Sequence, residues 1–283
     1  MPSVQPAQRS FTHDGHHLAF EEVGDGERVV VLLHGLLLSR RMHRPLAASL
    51  EKHGFRCVSL DLLGHGDSDR PIDMTRHSMQ QYAGSTLALL DFLEVERAVV
   101  LGTSLGANTA LELATVAPER VRGLVVEMPV LDNAILAAAV TFLPFMLAMR
   151  FAAPAIRAVN ALARRVPATG LPLLDALMDW PRDPPEPSLA VLQGLFFGRI
   201  APPRQVRRLL DVPVLVIGHP NDPVHPFSDS DELAAELPYA KLVRAESILE
   251  LRLRPARLTG EIAAFLDECF TDAGRVRRRR AAA

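Results

Sequence analysis

The stretch that decides the fold is Val99-Val100-Leu101-Gly102-Thr103-Ser104-Leu105-Gly106. An apolar, β-branched run leads directly into Gly-x-Ser-x-Gly, and helical patterning follows at once. The two glycines leave space for a tight strand-to-helix turn, so the Ser104 hydroxyl should stand clear of the sheet at a helix N-terminus, where developing negative charge is favoured. The pattern predicts a nucleophile elbow. A serine that merely caps the helix between two turn glycines is the simpler alternative.

Alternating strand and helix patterns surround this turn. Largely apolar runs, typical of strands buried on both faces, occupy residues 28–33, 55–60, 98–102 and 121–127. From about 132 to 205 helical sequence rich in Ala, Leu and Pro replaces the alternation, and a strand pattern returns at 212–217. We therefore predict an α/β fold whose mostly parallel sheet is flanked by helices and carries an inserted helical cap. The predicted parts are a first core part at 1–131, the cap at 132–205, a second core part at 206–272 and a basic, disordered tail at 273–283.

Composition narrows the classes of function. The 283 residues are 48% hydrophobic and 23% charged, which suits one large α/β domain with an insertion. Because 31 Lys and Arg balance 33 Asp and Glu to a net charge of −2, no overall positive field would attract nucleic acid. We expect a small hydrophobic substrate or ligand as the partner. Cys57 and Cys269 match no metal or redox spacing, so we predict neither a metal site nor a cofactor.

The location is predicted from the N-terminus, the cysteines and the most apolar stretch. The first residues lack the basic segment and apolar run of a secretory signal, and two isolated cysteines suit a reducing compartment, so we predict a cytoplasmic protein. Residues 133–149 carry no charge, but Pro144 interrupts them and they fall short of the ~20 residues of a membrane span. We predict a buried or pocket-lining helix, with Phe142, Phe145 and Met146 in an apolar pocket, and expect no membrane contact. The oligomeric state stays open.

A second motif stands at the end of the first long strand, in Leu32-Leu33-His34-Gly35. Together with the Ser104 elbow it resembles the α/β-hydrolase superfamily, in its serine-nucleophile, esterase- or lipase-like branch with a helical cap. The resemblance implies the α/β-hydrolase fold and an oxyanion hole made by the amides of Leu36 and Leu105. It also implies that His34 braces this loop beside the pocket, together with Gly35, and does not transfer protons.

The catalytic acid is expected after the strand that follows the cap. The family places an aspartate at this strand end, and Asp222 is the match in residues 217–226. The simpler alternative is that Asp222 only forms a turn before Pro223. Asp132, after the strand that precedes the cap, is the fallback, because some family members hold the acid there.

The histidine of the expected triad is missing from its usual position. Family members follow the last strand with a Gly-His step, and here Ser247 and Ile248 stand in those places. All ten histidines lie at or before His225, so no shift of register restores the base. His225, three residues after Asp222, is the leading substitute, and His219 is the second choice.

The missing histidine leaves two hypotheses from different classes. Removing the base of a serine protease lowers turnover by about 10⁶-fold, so an unmodified triad cannot run efficiently here. The first hypothesis is a serine hydrolase that acts on a small hydrophobic carboxylic ester with a non-standard base. The alternative is a catalytically weak or inactive protein that binds a small molecule on the same fold, with Ile248 in its pocket.

Overall fold

The computed structural model describes residues 7–271, and its centre is one eight-stranded sheet. Its strands are β1 (Ala7–His13), β2 (His16–Val23), β3 (Arg28–Leu33), β4 (Phe55–Leu60), β5 (Ala98–Thr103), β6 (Val121–Glu127), β7 (Val214–Gly218) and β8 (Ala240–Arg244). The spatial order is β1-β2-β4-β3-β5-β6-β7-β8. The β1–β2 and β2–β4 pairs are antiparallel and all others are parallel. The predicted α/β class with a mostly parallel sheet is confirmed.

The helices cover the two faces of the sheet and make up most of the segment between β6 and β7. They are α1 (Arg44–Glu51), α2 (Met79–Phe92), α3 (Leu105–Val116), α4 (Ile135–Phe151), α5 (Ala153–Ala163), α6 (Pro172–Asp179), α7 (Pro185–Phe197), α8 (Arg204–Arg207), α9 (Phe227–Glu236), α10 (Glu250–Leu253) and α11 (Ala256–Phe270). Between β6 and β7 the described chain forms helices and loops only. We call residues 132–205 the cap segment.

The core explains why the strands have continuous apolar runs. Alternate residues of β3 point into two different clusters: Val29, Val31 and Leu33 lie in one, and Val30 and Leu32 in the other. All five are at most 3% exposed. Because helices cover both faces, neither face of the central strands can be polar.

Helix α4 was predicted to be buried or to line a pocket, and the structure shows the second. Among its residues only Met146 and Met149 are buried, and one side of the helix lines a cavity. Residues 132–151 are long and apolar enough to cross a membrane by length and composition, and only 17% of their most apolar window is buried. Periodicity could not reveal this, because the helix is apolar on every side.

The predicted basic tail at 273–283 lies outside the described residues. The described chain ends just after α11, at Thr271. The phenyl ring of Phe270, the last residue of α11, lies 6.0 Å from that of Phe55 at the amino end of β4.

Candidate active site

The Gly-x-Ser-x-Gly motif forms a tight turn between β5 and α3. The backbone of Ser104 has φ 55° and ψ −110°. A residue other than glycine adopts such angles only where the surrounding structure imposes them. A methyl group at Gly102 would overlap the main chain of Gly106, and one at Gly106 would overlap that of Leu33. Both glycines are therefore required for the close contact between β5, α3 and β3, which holds Ser104 at the carboxyl edge of the sheet.

The Ser104 hydroxyl has a histidine beside it. Its Oγ lies 2.8 Å from Nε2 of His225, and Nδ1 of the same ring lies 3.0 Å from Oδ2 of Asp222. Because a carboxylate only accepts hydrogen bonds, Nδ1 carries a hydrogen and donates a hydrogen bond to Asp222, which leaves Nε2 free to accept a hydrogen bond from the serine. The structure thus places the three predicted residues in one hydrogen-bonded chain in the order Ser104–His225–Asp222.

The loop after β7 shapes the acid and the base together. Oδ1 of Asp222 accepts hydrogen bonds from the amides of Val224 (2.8 Å) and His225 (2.9 Å), so the carboxylate folds the loop that presents the imidazole. Burial opposes ionisation of this carboxyl, but the bonds and charge of His225 and the two amides outweigh it and lower the pKa of Asp222. Asp222 is therefore ionised at neutral pH and can orient and stabilise a protonated His225.

The fallback acid does not take part in this chain of hydrogen bonds. Asp132 is exposed at the start of the cap segment. The carboxylate that anchors this region is Asp229 on α9, which accepts hydrogen bonds from the amides of Leu131 (2.7 Å) and Asn133 (3.1 Å). Sequence reasoning missed Asp229, because nothing in the local pattern links it to residues almost a hundred positions away.

The loop after β3 lies beside the elbow, as an oxyanion loop requires. Leu36 and Leu105 line the same cavity as Ser104, and the amide of neither donates a main-chain hydrogen bond to another described residue. His34 lies behind this loop: its Nδ1 donates to the Gly35 carbonyl (2.8 Å), and its Nε2 accepts from the Leu62 amide (3.0 Å). Burial lowers the pKa of His34, so the ring is neutral and links two loops.

His219, the second candidate base, belongs to a different cluster. Its Nδ1 donates to the Ser247 carbonyl (2.9 Å), and its Nε2 lies 3.2 Å from Oε1 of the buried Glu127. The other carboxylate oxygen of Glu127 accepts from Thr103 (2.6 Å) and from Arg252 (2.6 Å). The Glu127 carboxylate is thus paired with these three side chains next to the elbow. The histidine that the structure brings to Ser104 is His225, not His219.

The Glu127 carboxylate is ionised despite its burial. Desolvation opposes the charge, but Arg252, His219 and Thr103 outweigh it, so the pKa of Glu127 lies well below its ordinary value. The main-chain carbonyl of Glu127 also accepts the amide hydrogen of Ser104 (2.9 Å). This cluster ties the end of β6 to the nucleophile, and its members come from four distant parts of the chain, which is why the sequence did not reveal it.

An apolar cavity of about 200 Å³ opens at Ser104 and His225 under the cap segment. One wall is a single face of α4, because its lining residues follow helical spacing: Ile135, Ala138, Ala139 and Phe142. The remaining walls come mainly from Leu36, Met79, Leu105, Asn108, Val130, Leu195, Phe196, Ile200 and Val224. The Asn108 side chain is engaged by main-chain groups of Val130 and Ile200, so it contributes little free polarity. Because α4 is apolar on every side, its spacing could not have shown from sequence which face forms this wall.

Of the six residues predicted for the pocket, only Phe142 lines the cavity, and the other five predictions are corrected. Phe145 turns away and packs edge-on against Trp180, with ring centres 5.3 Å apart. Met146 is buried among other cap residues, in a cluster with Met149 and Leu192.

The three remaining pocket predictions fail for different reasons. His34 is fully buried behind its loop, and Gly35 lies beside Ser104 without lining the cavity. Ile248 is 40% exposed and also lies outside the cavity lining. The loop after β8, which carries the family's histidine, therefore does not contribute to this cavity.

No group of three or more His, Cys, Asp or Glu side chains suited to a metal ion occurs among residues 7–271. The titratable side chain beside the Ser104 hydroxyl is His225, whose other ring nitrogen is hydrogen-bonded to Asp222. The arrangement is suited to activating a serine hydroxyl as a nucleophile.

Comparison with known proteins agrees with this fold. A family model described as alpha/beta hydrolase fold matches residues 28–247, and this match ends one residue before Ile248. An enol-lactonase from Burkholderia xenovorans LB400 superposes with a TM-score of 0.75 at 22% identity, covering 92% of this chain and 100% of that one. At this identity the likeness concerns the fold alone.

Curated relatives match over shorter stretches. A protein of Mycobacterium phage D29, named provisionally as a non-heme haloperoxidase, is 35% identical over 112 residues, which cover 40% of this chain and 39% of that protein. A 2-hydroxy-6-oxononadienedioate/2-hydroxy-6-oxononatrienedioate hydrolase of Paraburkholderia xenovorans is 34% identical over 115 residues, covering 38% of each chain. The chain thus spans about two fifths of the length of these curated relatives.

Proposed function

Since this chain belongs to the α/β-hydrolase family, we propose that it is a serine hydrolase acting on a small hydrophobic carboxylic ester. Ser104 is the nucleophile, His225 the general base and Asp222 the acid that orients it. The base stands three residues after the acid on the same loop, whereas the family pattern places it after the last strand.

The observation that carries the proposal is the pair of hydrogen bonds at His225. A general base must lie within about 2.6–3.2 Å of the proton that it removes, and Nε2 lies 2.8 Å from the serine oxygen. The base must also be oriented by a third group, and Asp222 does this at 3.0 Å. Both requirements of an activated serine are therefore met without a residue at position 248.

The reaction follows from these contacts. As the Ser104 oxygen attacks the ester carbonyl, its proton passes to Nε2 of His225, and the amides of Leu36 and Leu105 are placed to bind the oxyanion. The tetrahedral intermediate expels the alcohol, which takes the proton from His225, and an acyl-enzyme remains. Water then attacks the acyl carbon with His225 again as base, releasing the carboxylic acid and restoring the serine hydroxyl.

The cavity supports a hydrophobic acyl group as the recognised part of the substrate. Its lining is almost entirely aliphatic and aromatic, and its polar atoms gather at Ser104 and His225. An apolar acyl chain would lose its hydration there without leaving buried polar groups of the protein unpaired. A charged acid portion would find no partner among the lining residues.

The first test is hydrolysis of p-nitrophenyl butyrate by the wild type and by Ser104→Ala and His225→Ala. Removing either residue of an interdependent pair should lower kcat by about 10³-fold or more, with little change in KM. His16→Ala, which removes a partly exposed histidine away from the cavity, is the matched control and should retain wild-type rates.

The outcomes separate the proposal from the alternative of an inactive binding protein. Loss of activity in both variants, with an acyl-enzyme trapped on Ser104 by mass spectrometry, supports the hydrolase. Turnover that survives Ser104→Ala would end the serine mechanism. Absence of turnover in the wild type, together with saturable binding of the same ester, would favour the binding protein.

A further inference from the structure

Helix α4 carries a second apolar face that points away from the protein. We define the outer stripe as Leu136, Val140, Leu143, Leu147 and Phe151, which recur at intervals of three and four residues and lie on one side of the helix. Every member is exposed, and Leu136 and Val140 are 75% and 68% exposed. At 1.5 Å per residue the stripe is about 22 Å long. A contiguous apolar surface of this length marks an interaction site.

The opposite face of the same helix lines the cavity at Ser104. Ile135, Ala138 and Phe142 belong to that face. The helix thus separates the apolar cavity from the outer stripe, and its region is apolar enough to enter a lipid phase. It does not need to span a membrane, because its inner face is engaged by the protein.

The charges around the stripe indicate what covers it. Arg150 on α4 and Arg164 and Arg165 at the end of α5 form no ion pair with a described acid. By contrast, the neighbouring acids are engaged: Asp179 by Arg41, Asp183 by Arg70 and Glu186 by Arg157. Asp132 is exposed at the amino end of the stripe, and Asp175 on α6 accepts hydrogen bonds from Thr169 and Gly170. Arg150 therefore places a positive charge at the carboxyl end of the stripe, and Arg164 and Arg165 place exposed positive charge at the end of α5.

Helix α5, which directly follows α4, repeats the combination. Val159 and Leu162 are exposed on its surface, immediately before Arg164 and Arg165. Apolar side chains flanked by arginines match the acyl region and the phosphates of an anionic bilayer surface.

We infer that the outer stripe of α4 docks on the surface of an anionic phospholipid bilayer, with Arg150, Arg164 and Arg165 against the phosphates. The sequence predicts no membrane contact, because residues 133–149 are short for a span and Pro144 interrupts them; docking on a surface needs no span, and the outer stripe is exposed. If the proposed esterase function also holds, a lipophilic ester dissolved in the bilayer reaches Ser104 beside α4. The docking itself does not rest on that function.

The test is cosedimentation of the full chain with equimolar phosphatidylcholine–phosphatidylglycerol vesicles. Leu136→Glu combined with Val140→Glu should weaken binding by about 100-fold, because two apolar side chains leave the lipid and two negative charges face the phosphates. The matched control combines Leu209→Glu with Leu253→Glu, which lie outside the cap segment at 79% and 66% exposure, and it should bind like the wild type. Pure phosphatidylcholine vesicles should bind the wild type more weakly.

Further measurements distinguish a failure of membrane docking from a failure of the proposed hydrolase function. Ser104→Ala should bind vesicles normally, and the Leu136/Val140 variant should hydrolyse a water-soluble ester at the wild-type rate, since neither side chain lines the cavity. A chain lacking residues 273–283 should still bind, although those residues include five arginines.

Three results would overturn the inference. The first is a wild type that does not sediment with anionic vesicles. The second is equal loss of binding in the cap variant and its control, or loss only on removal of residues 273–283. The third is a dimer in light scattering that the Leu136/Val140 variant dissociates, without vesicle binding, which would assign the stripe to a second copy.

Discussion

His225 reaches Ser104 from the loop after β7, and this single contact decides how the active site is interpreted. The two residues lie 121 positions apart, yet Nε2 and Oγ are 2.8 Å apart. The Asp222 carboxylate holds both the ring and the main chain of the same loop. Acid and base therefore form one local unit that needs no contribution from the loop after β8.

At the residue scale, Ile248→His should not create a better enzyme. The motif pattern alone suggests that it would restore the missing base, but position 248 lies outside the cavity lining and Ser104 already has a partner. We expect kcat/KM for p-nitrophenyl butyrate within about twofold of the wild type, since no new group reaches the reacting atoms. His225→Ala combined with Ile248→His should stay as inactive as His225→Ala alone. Recovery of activity in that double variant would contradict the geometry described for this loop.

At the scale of elements, the elbow depends on the edge formed by β5, β6 and α10. Glu127 at the end of β6 accepts hydrogen bonds from Thr103 of β5 and Arg252 of α10, and its main chain holds the Ser104 amide. The carboxylate is 1% exposed, so the loss of its charge cannot be replaced by water. The strained backbone at Ser104 is stabilised by this buried set of partners.

Glu127→Gln should therefore destabilise the protein substantially. The substitution leaves the nearly buried Arg252 without its counter-charge, and breaking such a pair typically costs about 3–5 kcal/mol. The free energy of unfolding in urea, with an unchanged m-value, measures the effect. Glu261→Gln removes the acid of an exposed pair with Lys241 and should change stability by less than about 1 kcal/mol. Equal effects of the two substitutions would show that the Glu127 cluster does not anchor the elbow.

At the scale of the whole molecule, buried histidines make the fold sensitive to acid. Burial lowers the pKa of His43 to about 3, and it also lowers those of His34, His65 and His77. In the unfolded chain these histidines have their ordinary pKa of 6.5, so below that pH the unfolded chain holds more protons than the folded chain. The contribution of these neutral histidines to the free energy of unfolding is fully present above about pH 6.5, and it is lost as the pH falls toward their pKa values in the folded protein. Asp183, whose pKa burial raises to about 6, acts in the opposite direction between its ordinary value and 6.

His43→Gln tests this dependence. With a pKa of about 3 when folded and 6.5 when unfolded, His43 alone should remove about 2 kcal/mol of unfolding free energy between pH 7 and pH 5. Between pH 7 and pH 5 the free energy of unfolding of His43→Gln should therefore fall by about 2 kcal/mol less than that of the wild type, whatever the stability of the variant at pH 7. The control is His53→Gln, which replaces an exposed histidine and should show the pH dependence of the wild type. Urea unfolding at the two pH values measures both. An unchanged pH dependence in His43→Gln would mean that the ring is protonated in the folded protein.

The sequence by itself determined the strands of the sheet and identified three site residues as candidates. Short, β-branched apolar runs are typical of strands covered on both faces, and Gly-x-Ser-x-Gly between a strand and a helix is typical of one kind of turn, so the sheet and the elbow at Ser104 were predictable. Asp222 and His225 were both identified as candidates, because both closely follow the strand pattern of β7 in the sequence.

Only the tertiary structure decided which histidine meets the serine and which side of α4 is covered. Parallel packing of β5, β6 and β7 brings the Ser104 turn and the His225 loop to one edge, a distance that no spacing along the chain encodes. Helix α4 is apolar on every side, so its periodicity carries no information about its surroundings. Long-range contacts set both outcomes: they turn one face of α4 to the cavity and leave its outer stripe exposed.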